Sequence, residues 1–100
     1  MNKIEYLLTC LKEECSEVQM ASSKSERFGF DSDYIGITNL TQLVNEFNDL
    51  LAVVDLLNEE TEVNHRIVRN ESLILAKKKK MEVMMNISRQ LGKLDAETVH

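Results

Sequence analysis

Two pairs of acidic residues have a spacing that could bind a metal ion. Glu14 and Glu17 lie three residues apart, and after a 28-residue spacer Glu46 and Asp49 repeat that spacing. Residues three apart share a face of a helix, so each pair would present two carboxylates side by side. Oxygen ligands from two rigid helices suit Mg²⁺, a hard cation that proteins often share with substrate phosphates. The pattern alone leaves two interpretations open, a metal site and two solvated acidic ridges.

Glu14 is the most informative of these acids because it interrupts an apolar helical face. At helical spacing that face comprises Ile4, Leu7, Leu8, Leu11, Cys15, Val18 and Ser22. Glu14 falls between Leu11 and Val18 on the steps of three and four residues that keep to one side of a helix. An unpaired buried carboxylate costs several kcal/mol, so this position predicts a partner: a cation, a proton or a metal.

The first helix should begin after Asn2 and end near Phe28. Asn2 and Glu5 have the spacing of a capping pair, and Gly29 is a natural C-terminal stop. Beside the apolar face, a second stripe contains Glu14, Glu17, Ala21, Lys24 and Phe28. Two acids and a lysine are therefore predicted on one ridge of this helix.

A second helix should follow an ordered loop at residues 29–38, where turn-forming residues mix with two aromatic ones. Asn39 and Gln42 have the spacing of an N-cap and a third helical position, and the pattern runs to about Glu59. The predicted apolar face comprises Leu40, Leu43, Val44, Phe47, Leu50, Leu51, Val54 and Leu57. Val53 and Leu56 make the second half of the helix apolar on a further side, which predicts a dimer interface at these two residues.

The segment from Thr61 to Leu91 also has helical periodicity and contains neither Pro nor Gly. Its pattern is compatible with one long helix, and also with a short helix followed by a second that begins near Asn70 or Glu71. Lys77 falls on the apolar stripe of this segment, where its ammonium would either reach solvent past its neighbours or contact a phosphate.

Composition and charge limit the class of protein. The chain has 100 residues, 43% of them hydrophobic, with three Gly and no Pro, which predicts one all-α domain over residues 1–100. A helical bundle of three to four helices, completed by dimerisation, is the expected architecture. A net charge of −5 argues against nucleic-acid binding, and the sequence has neither a glycine-rich phosphate loop nor a membrane-spanning apolar run. Cys10 and Cys15 fit no zinc or redox spacing, which predicts reduced thiols and a cytoplasmic protein.

The two acidic pairs also resemble a known family motif. Residues 14–17 are Glu-Cys-Ser-Glu and residues 46–49 are Glu-Phe-Asn-Asp. Together they resemble the ExxE and ExxD pair of MazG-like nucleoside triphosphate pyrophosphohydrolases. The neighbouring segments 13–18, 23–29 and 49–55 are similar to those of the small single-domain members, including members carried by phages. The resemblance covers most of the chain.

The resemblance implies an all-α homodimer or higher homo-oligomer that hydrolyses a nucleoside triphosphate. Cleavage between the α- and β-phosphates would give a nucleoside monophosphate and pyrophosphate, without a covalent nucleophile. Mg²⁺, with Mn²⁺ as a substitute, would be held by four catalytic acids: Glu14, Glu17, Glu46 and Asp49. Basic residues that would bind the substrate are Lys24, Arg27 and Lys77.

Metal-assisted phosphoryl transfer also suits the residues themselves, because it needs charge neutralisation and a positioned water more than a nucleophilic side chain. A function of a different class stays open. In this alternative the chain is a non-enzymatic helical dimer, an interaction or regulatory module whose acids are solvated or paired with lysines. Pyrophosphate release from nucleoside triphosphates distinguishes the two hypotheses.

Overall fold

The computed structural model of the protein describes residues 1–60 and 66–97. Within these residues the elements are, in chain order, α1 (Lys3–Phe28), β1 (Asp33–Tyr34), β2 (Ile37–Thr38), α2 (Asn39–Glu60) and α3 (Glu71–Gln90). The predicted all-α class is confirmed. The chain forms two compact units, Met1–Ile67 and Val68–His100, while the single domain predicted over residues 1–100 stays a prediction. None of the helices described is both long and apolar enough to cross a bilayer.

Helix α1 begins and ends where the sequence predicts. The Asn2 side chain caps its start by accepting a hydrogen bond of 2.8 Å from the Glu5 backbone N–H. At the other end Gly29 has a φ of 87°, and its N–H donates to the Ser25 carbonyl at 2.8 Å. A positive φ strains residues with a Cβ but not glycine, so Gly29 terminates the helix at little conformational cost.

Helix α2 is capped by Thr38 rather than by the predicted Asn39. The Thr38 hydroxyl accepts a hydrogen bond of 3.2 Å from the Thr41 N–H, which is the contact of an N-cap residue. Asn39 is only 5% exposed and donates its side-chain N–H to the Gly29 carbonyl at 2.9 Å. The prediction for Asn39 was wrong because this amide is used across the loop, where it ties the start of α2 to the end of α1.

The predicted loop at residues 29–38 contains a small antiparallel hairpin. Strands β1 and β2 pair with Asp33 opposite Thr38 and Tyr34 opposite Ile37. Ile35 and Gly36 form the two-residue turn, with φ values of 61° and 79°. Two successive positive φ angles are the backbone of a type I′ turn, which normally favours Asn or Gly at the first position. The β-branched Ile35 is therefore held in a strained conformation at the tip.

Helices α1 and α2 pack antiparallel, and this pairing sets the register of the site described below. The Lys3 ammonium at the start of α1 lies 2.7 Å from the Glu60 carboxylate at the end of α2. Between these ends, the buried core cluster consists of Leu7, Val53 and Leu57, with Cys10 and Leu11 packed against it.

Val53 lies inside this core and not at the predicted dimer interface. It is 9% exposed and packs with Leu7 and Leu57. Because α2 is apolar around most of its second half, periodicity does not fix which side of the helix faces α1. The contact with α1 takes the side of Val53, so the prediction for this residue was wrong, while Leu56 remains exposed.

The helix pair has two different faces beside its buried contact line. That line comprises Leu7, Ala21 and Ser25 of α1 and Asn39, Val53 and Leu57 of α2. At about 100° per residue, Leu8 of α1 and Phe47 of α2 are rotated in one sense from this line, whereas Glu17 and Asp49 are rotated in the other. In an antiparallel pair, the same sense of rotation on both helices leads to one common face. Glu17 and Asp49 therefore lie on one face of the pair, the acid face, and Glu14 and Glu46 lie at its edge, close to the contact line.

The opposite face, the apolar face, keeps large hydrophobic side chains in solvent. Its six members are each between 40% and 50% exposed: Ile4, Leu8, Leu40, Val44, Phe47 and Leu51. All six belong to the apolar faces that the sequence predicts. They stay exposed because each helix has more apolar circumference than one neighbouring helix can bury.

Helix α3 resolves one of the alternatives left open by the sequence. Asn70 caps it by accepting a hydrogen bond of 3.1 Å from the Leu73 N–H, and residues 66–70 are not helical. A helix that begins at Glu71 is therefore confirmed over the described residues, whereas the first part of the predicted segment, at residues 61–65, lies outside them. In the second unit Lys77 is exposed on α3.

Candidate functional site

The antiparallel pairing of α1 and α2 brings three of the four predicted acids together. One carboxylate oxygen from each of Glu14, Glu46 and Asp49 lies within 4.8 Å of the other two. The register explains this convergence: Glu14 follows Lys3 by eleven residues, and Asp49 precedes the Lys3 partner Glu60 by eleven residues. We call Glu14, Glu46 and Asp49 the acid cluster.

Glu17 lies beside the acid cluster and is not a member of it. Its side chain is exposed, whereas Glu14 and Glu46 are half-buried. The negative charge of Glu17 nevertheless contributes to the raised pKa of Glu14. Glu17 is thus close enough to act on the cluster through its field, and its role as a fourth metal ligand stays a prediction.

The pKa of the Glu14 carboxyl is raised above its ordinary value. Desolvation is the largest cause, followed by the negative charges of Asp49 and Glu46 and then by those of Glu17 and Glu13. Both effects disfavour the charged carboxylate. The raised pKa means that the folded chain favours the protonated form of Glu14 more than water does.

The described residues provide no basic partner for the acid cluster. Their ion pairs are Lys3 with Glu60 and Arg69 with Glu71, and neither involves a cluster member. The sequence predicts that a carboxylate at position 14 needs a cation, a proton or a metal. No side chain of residues 1–60 or 66–97 supplies the cation, so the charge is balanced by solvent, by a shared proton or by a bound metal ion.

A cleft of about 470 Å³ lies on the acid face of the helix pair, near the end of α1 and the start of α2. We call it the cleft. Its lining comprises Lys24, Arg27 and Phe28 of α1, Ser32 and Asp33 of the hairpin region, and Asn39 and Gln42 of α2. Gln42 precedes Glu46 by one helical turn, which is about 6 Å along the helix axis. The cleft and the acid cluster are therefore neighbours.

Two of the three basic residues predicted to bind substrate line this cleft. Within the described part of the chain neither Lys24 nor Arg27 forms an ion pair. The Arg27 guanidinium lies 5.1 Å from the centre of the Phe28 ring, a distance typical of a cation–π contact. The cleft thus combines two available positive charges with an aromatic surface.

The third predicted basic residue, Lys77, belongs to the other compact unit. It is exposed on α3, within the unit Val68–His100. Its predicted contact with a phosphate stays a prediction, since the acid cluster and the cleft both belong to the unit Met1–Ile67.

Sequence analysis missed the polar lining of the cleft. Asn39 and Gln42 have the spacing of helix-capping residues, and that local interpretation hid their position beside α1. Ser32 and Asp33 lie just before a two-residue turn at Ile35 and Gly36. A Gly inside a short run of apolar and aromatic residues is a hairpin signal, and a hairpin between antiparallel helices would have indicated that these polar residues fold back onto the end of α1.

Comparison of the chain with family models, with curated proteins and with solved structures gave no match. The resemblance to MazG-like pyrophosphohydrolases therefore stays a prediction, which rests on the acidic motif and the residues that flank it. Its functional consequences depend on the geometry of the acid cluster and the cleft.

Proposed function

We propose that this protein is a Mg²⁺-dependent pyrophosphohydrolase that converts a nucleoside triphosphate, ribo or deoxy, to the monophosphate and pyrophosphate. The observation that carries the proposal is the convergence of Glu14, Glu46 and Asp49 from two helices without a basic partner among the described residues. Assembling three carboxylates costs free energy, which a divalent cation would offset. A cation at that position is the common requirement of enzymes that cleave phosphoanhydrides.

The donor set fits the metal. Three carboxylates from two helices are the oxygen ligands that Mg²⁺ prefers, and Mn²⁺ accepts the same set. When bound, the ion would neutralise charge on the phosphates and lower the pKa of a bound water. The protein contributes Glu14, Glu46 and Asp49 as ligands. Glu17 would add negative charge one turn further along α1, where it could orient the attacking water.

The substrate would extend from the acid cluster toward the cleft. Lys24 and Arg27 line the cleft and have no ion-pair partner in the described ranges, so their charges are available to a polyanionic ligand. None of these roles requires a covalent intermediate, because the attacking group is water.

The apolar face supports self-association into a homodimer or a higher homo-oligomer. Six large apolar side chains that remain 40% to 50% exposed on one side of a helix pair are typical of an interaction surface. We place the interface on this face, opposite the acids, so that dimerisation would leave the metal site open. Neither a nucleic acid nor a membrane is proposed as a partner. The free thiols of Cys10 and Cys15 support a reducing cytoplasmic location.

A second function is favoured by the apolar face alone. A non-enzymatic helical dimer, acting as an interaction or regulatory module, would need this surface and would not need the acid cluster. In that case the acids would be solvated and would tolerate replacement.

Release of pyrophosphate from a panel of nucleoside and deoxynucleoside triphosphates tests the proposal. We expect release with Mg²⁺ and none with a chelator, because the acid cluster cannot neutralise the phosphates without a cation. Absence of pyrophosphate release from every member of the panel, at saturating Mg²⁺ and with a folded protein, would leave the interaction module as the better proposal.

A further inference from the structure

We infer that the cleft binds the nucleoside end of the substrate, and that Gln42 and Asp33 select its base. This inference rests on the proposed function, which places the phosphates of the substrate beside the acid cluster. It extends that function by assigning base recognition to residues outside the acidic motif. The preferred bases would be those that carry an amino group, such as adenine and cytosine.

The size and the position of the cleft suit a nucleoside. Its volume of about 470 Å³ lies within the range typical of small-molecule sites, about 300 to 1,000 Å³. Gln42 lies one turn of α2 from Glu46, about 6 Å along the axis. A ligand whose base occupies the cleft would therefore reach the acid cluster with the phosphate attached to its sugar. The bond between the α- and β-phosphates would then lie beside the metal ligands.

Arg27 and Phe28 provide a stacking surface for a base. The guanidinium lies 5.1 Å from the ring centre, and both residues line the cleft. Aromatic rings and arginine planes are the side chains on which unpaired bases stack in proteins. Phe28 is 60% exposed. A base that stacks here would cover this apolar ring.

Gln42 and Asp33 provide the hydrogen-bonding groups. Gln42 is half-buried and lines the cleft, and its amide makes no hydrogen bond to any residue that the structure describes. A Gln amide offers a donor and an acceptor side by side, which matches the amino group and ring nitrogen of adenine. The Asp33 carboxylate only accepts, so it favours an amino group over the carbonyl of uracil at the same place.

The cleft also contains a negative charge, at Asp33, beside the positive charges of Lys24 and Arg27. Asp33 would repel a phosphate placed in the cleft, whereas it can accept a hydrogen bond from a neutral base. Lys24 lies one helical turn closer to the acid cluster than Arg27, about 4.5 Å along α1. This position suits contact with the phosphate that links the sugar to the metal site.

The test uses adenosine, cytidine and uridine, which lack phosphates and so bind independently of metal and of hydrolysis. Each is titrated into the ¹⁵N-labelled full-length protein in chelator, and the amide signals are followed by NMR. We expect the signals that move to be those of cleft residues, with adenosine or cytidine bound more tightly than uridine. Gln42→Leu should weaken binding of the preferred nucleoside by about tenfold or more, a loss that corresponds to one bidentate hydrogen-bonded pair.

Two further variants separate recognition from folding. Gln42→Glu keeps the size of the side chain and removes its donor, so it should also weaken binding of adenosine and cytidine, because the hydrogen bond to the ring nitrogen is lost. Gln90→Leu makes the same chemical change at an exposed site at the end of α3, and should bind as the wild type does.

Signals that move only outside the cleft, or Gln42 variants that bind all three nucleosides like the wild type, would overturn the inference. So would the absence of any shift at millimolar nucleoside. If nucleosides bind in the cleft while no triphosphate is hydrolysed, the inference stands and the proposed pyrophosphohydrolase activity fails.

Discussion

The two faces of the α1–α2 pair differ in chemistry and share one energetic property. On the acid face, carboxylates from Glu14, Glu46 and Asp49 lie within 4.8 Å of one another, and on the apolar face six large hydrophobic side chains meet water. Repulsion among like charges on one face, and apolar surface left in water on the other, are costs that a bound partner could remove. The proposed cation would remove the cost on the acid face, and the proposed second protein surface would remove the cost on the apolar face.

The largest expected effect is on catalysis at the acid face. Glu14→Gln and Asp49→Asn keep the shape of the side chains and remove a charged ligand, so pyrophosphate release should fall by roughly 10² to 10³, as at comparable electrostatic sites. Circular dichroism and sedimentation should be unchanged. Glu13→Gln is the matched control, because Glu13 is exposed and is the smallest of the causes that raise the pKa of Glu14. If Glu14→Gln and Asp49→Asn are as active as this control, the acid face has no catalytic role.

The next effect concerns the apolar face. Phe47→Asp should weaken dimerisation by at least about tenfold, because it places an unpaired charge in the interface. Leu56→Asp is the matched control: Leu56 is similarly exposed on α2 but is rotated toward the acid face. Sedimentation across a concentration series measures both variants. If Leu56→Asp dissociates the dimer and Phe47→Asp does not, the interface lies where the sequence predicts it and the apolar face needs another explanation.

A smaller effect, on thermal stability, comes from the metal. A ligand that binds only the folded state at a hundred times its Kd stabilises it by about 2.7 kcal/mol, which for a chain of this size raises the Tm on the order of 10 °C. Thermal melts with Mg²⁺ and with chelator should therefore separate for the wild type. The two melts should nearly coincide for Asp49→Asn. Coincident melts in the wild type would contradict a cation at the acid face.

The smallest expected effect is the pH dependence of stability in chelator. The pKa of Glu14 is raised in the folded chain, so the folded state holds this proton more tightly than the unfolded state does. The resulting stabilisation is complete below the pKa of the unfolded chain and is lost as pH rises through the raised pKa. Urea unfolding across this interval should show a steeper loss of stability for the wild type than for Glu14→Gln, whose amide does not titrate. Equal slopes would mean that Glu14 contributes nothing to the pH dependence of stability.

The acid face could be predicted from the sequence because its determinants are local. Glu14 and Glu17 share a helix face at any register, and the caps at Asn2 and Gly29 fix where α1 begins and ends. Two antiparallel helices of similar length then have few ways to pair. The sequence could not distinguish the exposed Glu17 from the three clustered acids, because that difference depends on how side chains meet across the pair.

The apolar face and the cleft depend on information that a periodic pattern does not contain. The second half of α2 is apolar nearly all round, so either side could face α1, and the placement of Val53 is decided by packing. Gln42 lines the cleft only because Asn39 binds the Gly29 carbonyl and so holds the start of α2 beside the end of α1. Contacts across a loop are tertiary events, and capping preferences at adjacent residues such as Thr38 and Asn39 differ too little to predict them.

A titration of the metal-free protein with Mn²⁺, followed by electron paramagnetic resonance, tests most directly whether the acid face holds a divalent cation. Loss of the free-ion signal should show saturable binding in the wild type and in Glu13→Gln. In Glu14→Gln and Asp49→Asn that binding should be strongly weakened, since each substitution removes a carboxylate ligand. Competition by Mg²⁺ should restore the free signal in the wild type. Binding that is absent from the wild type, or equally strong in all four proteins, would contradict a metal site formed by Glu14, Glu46 and Asp49.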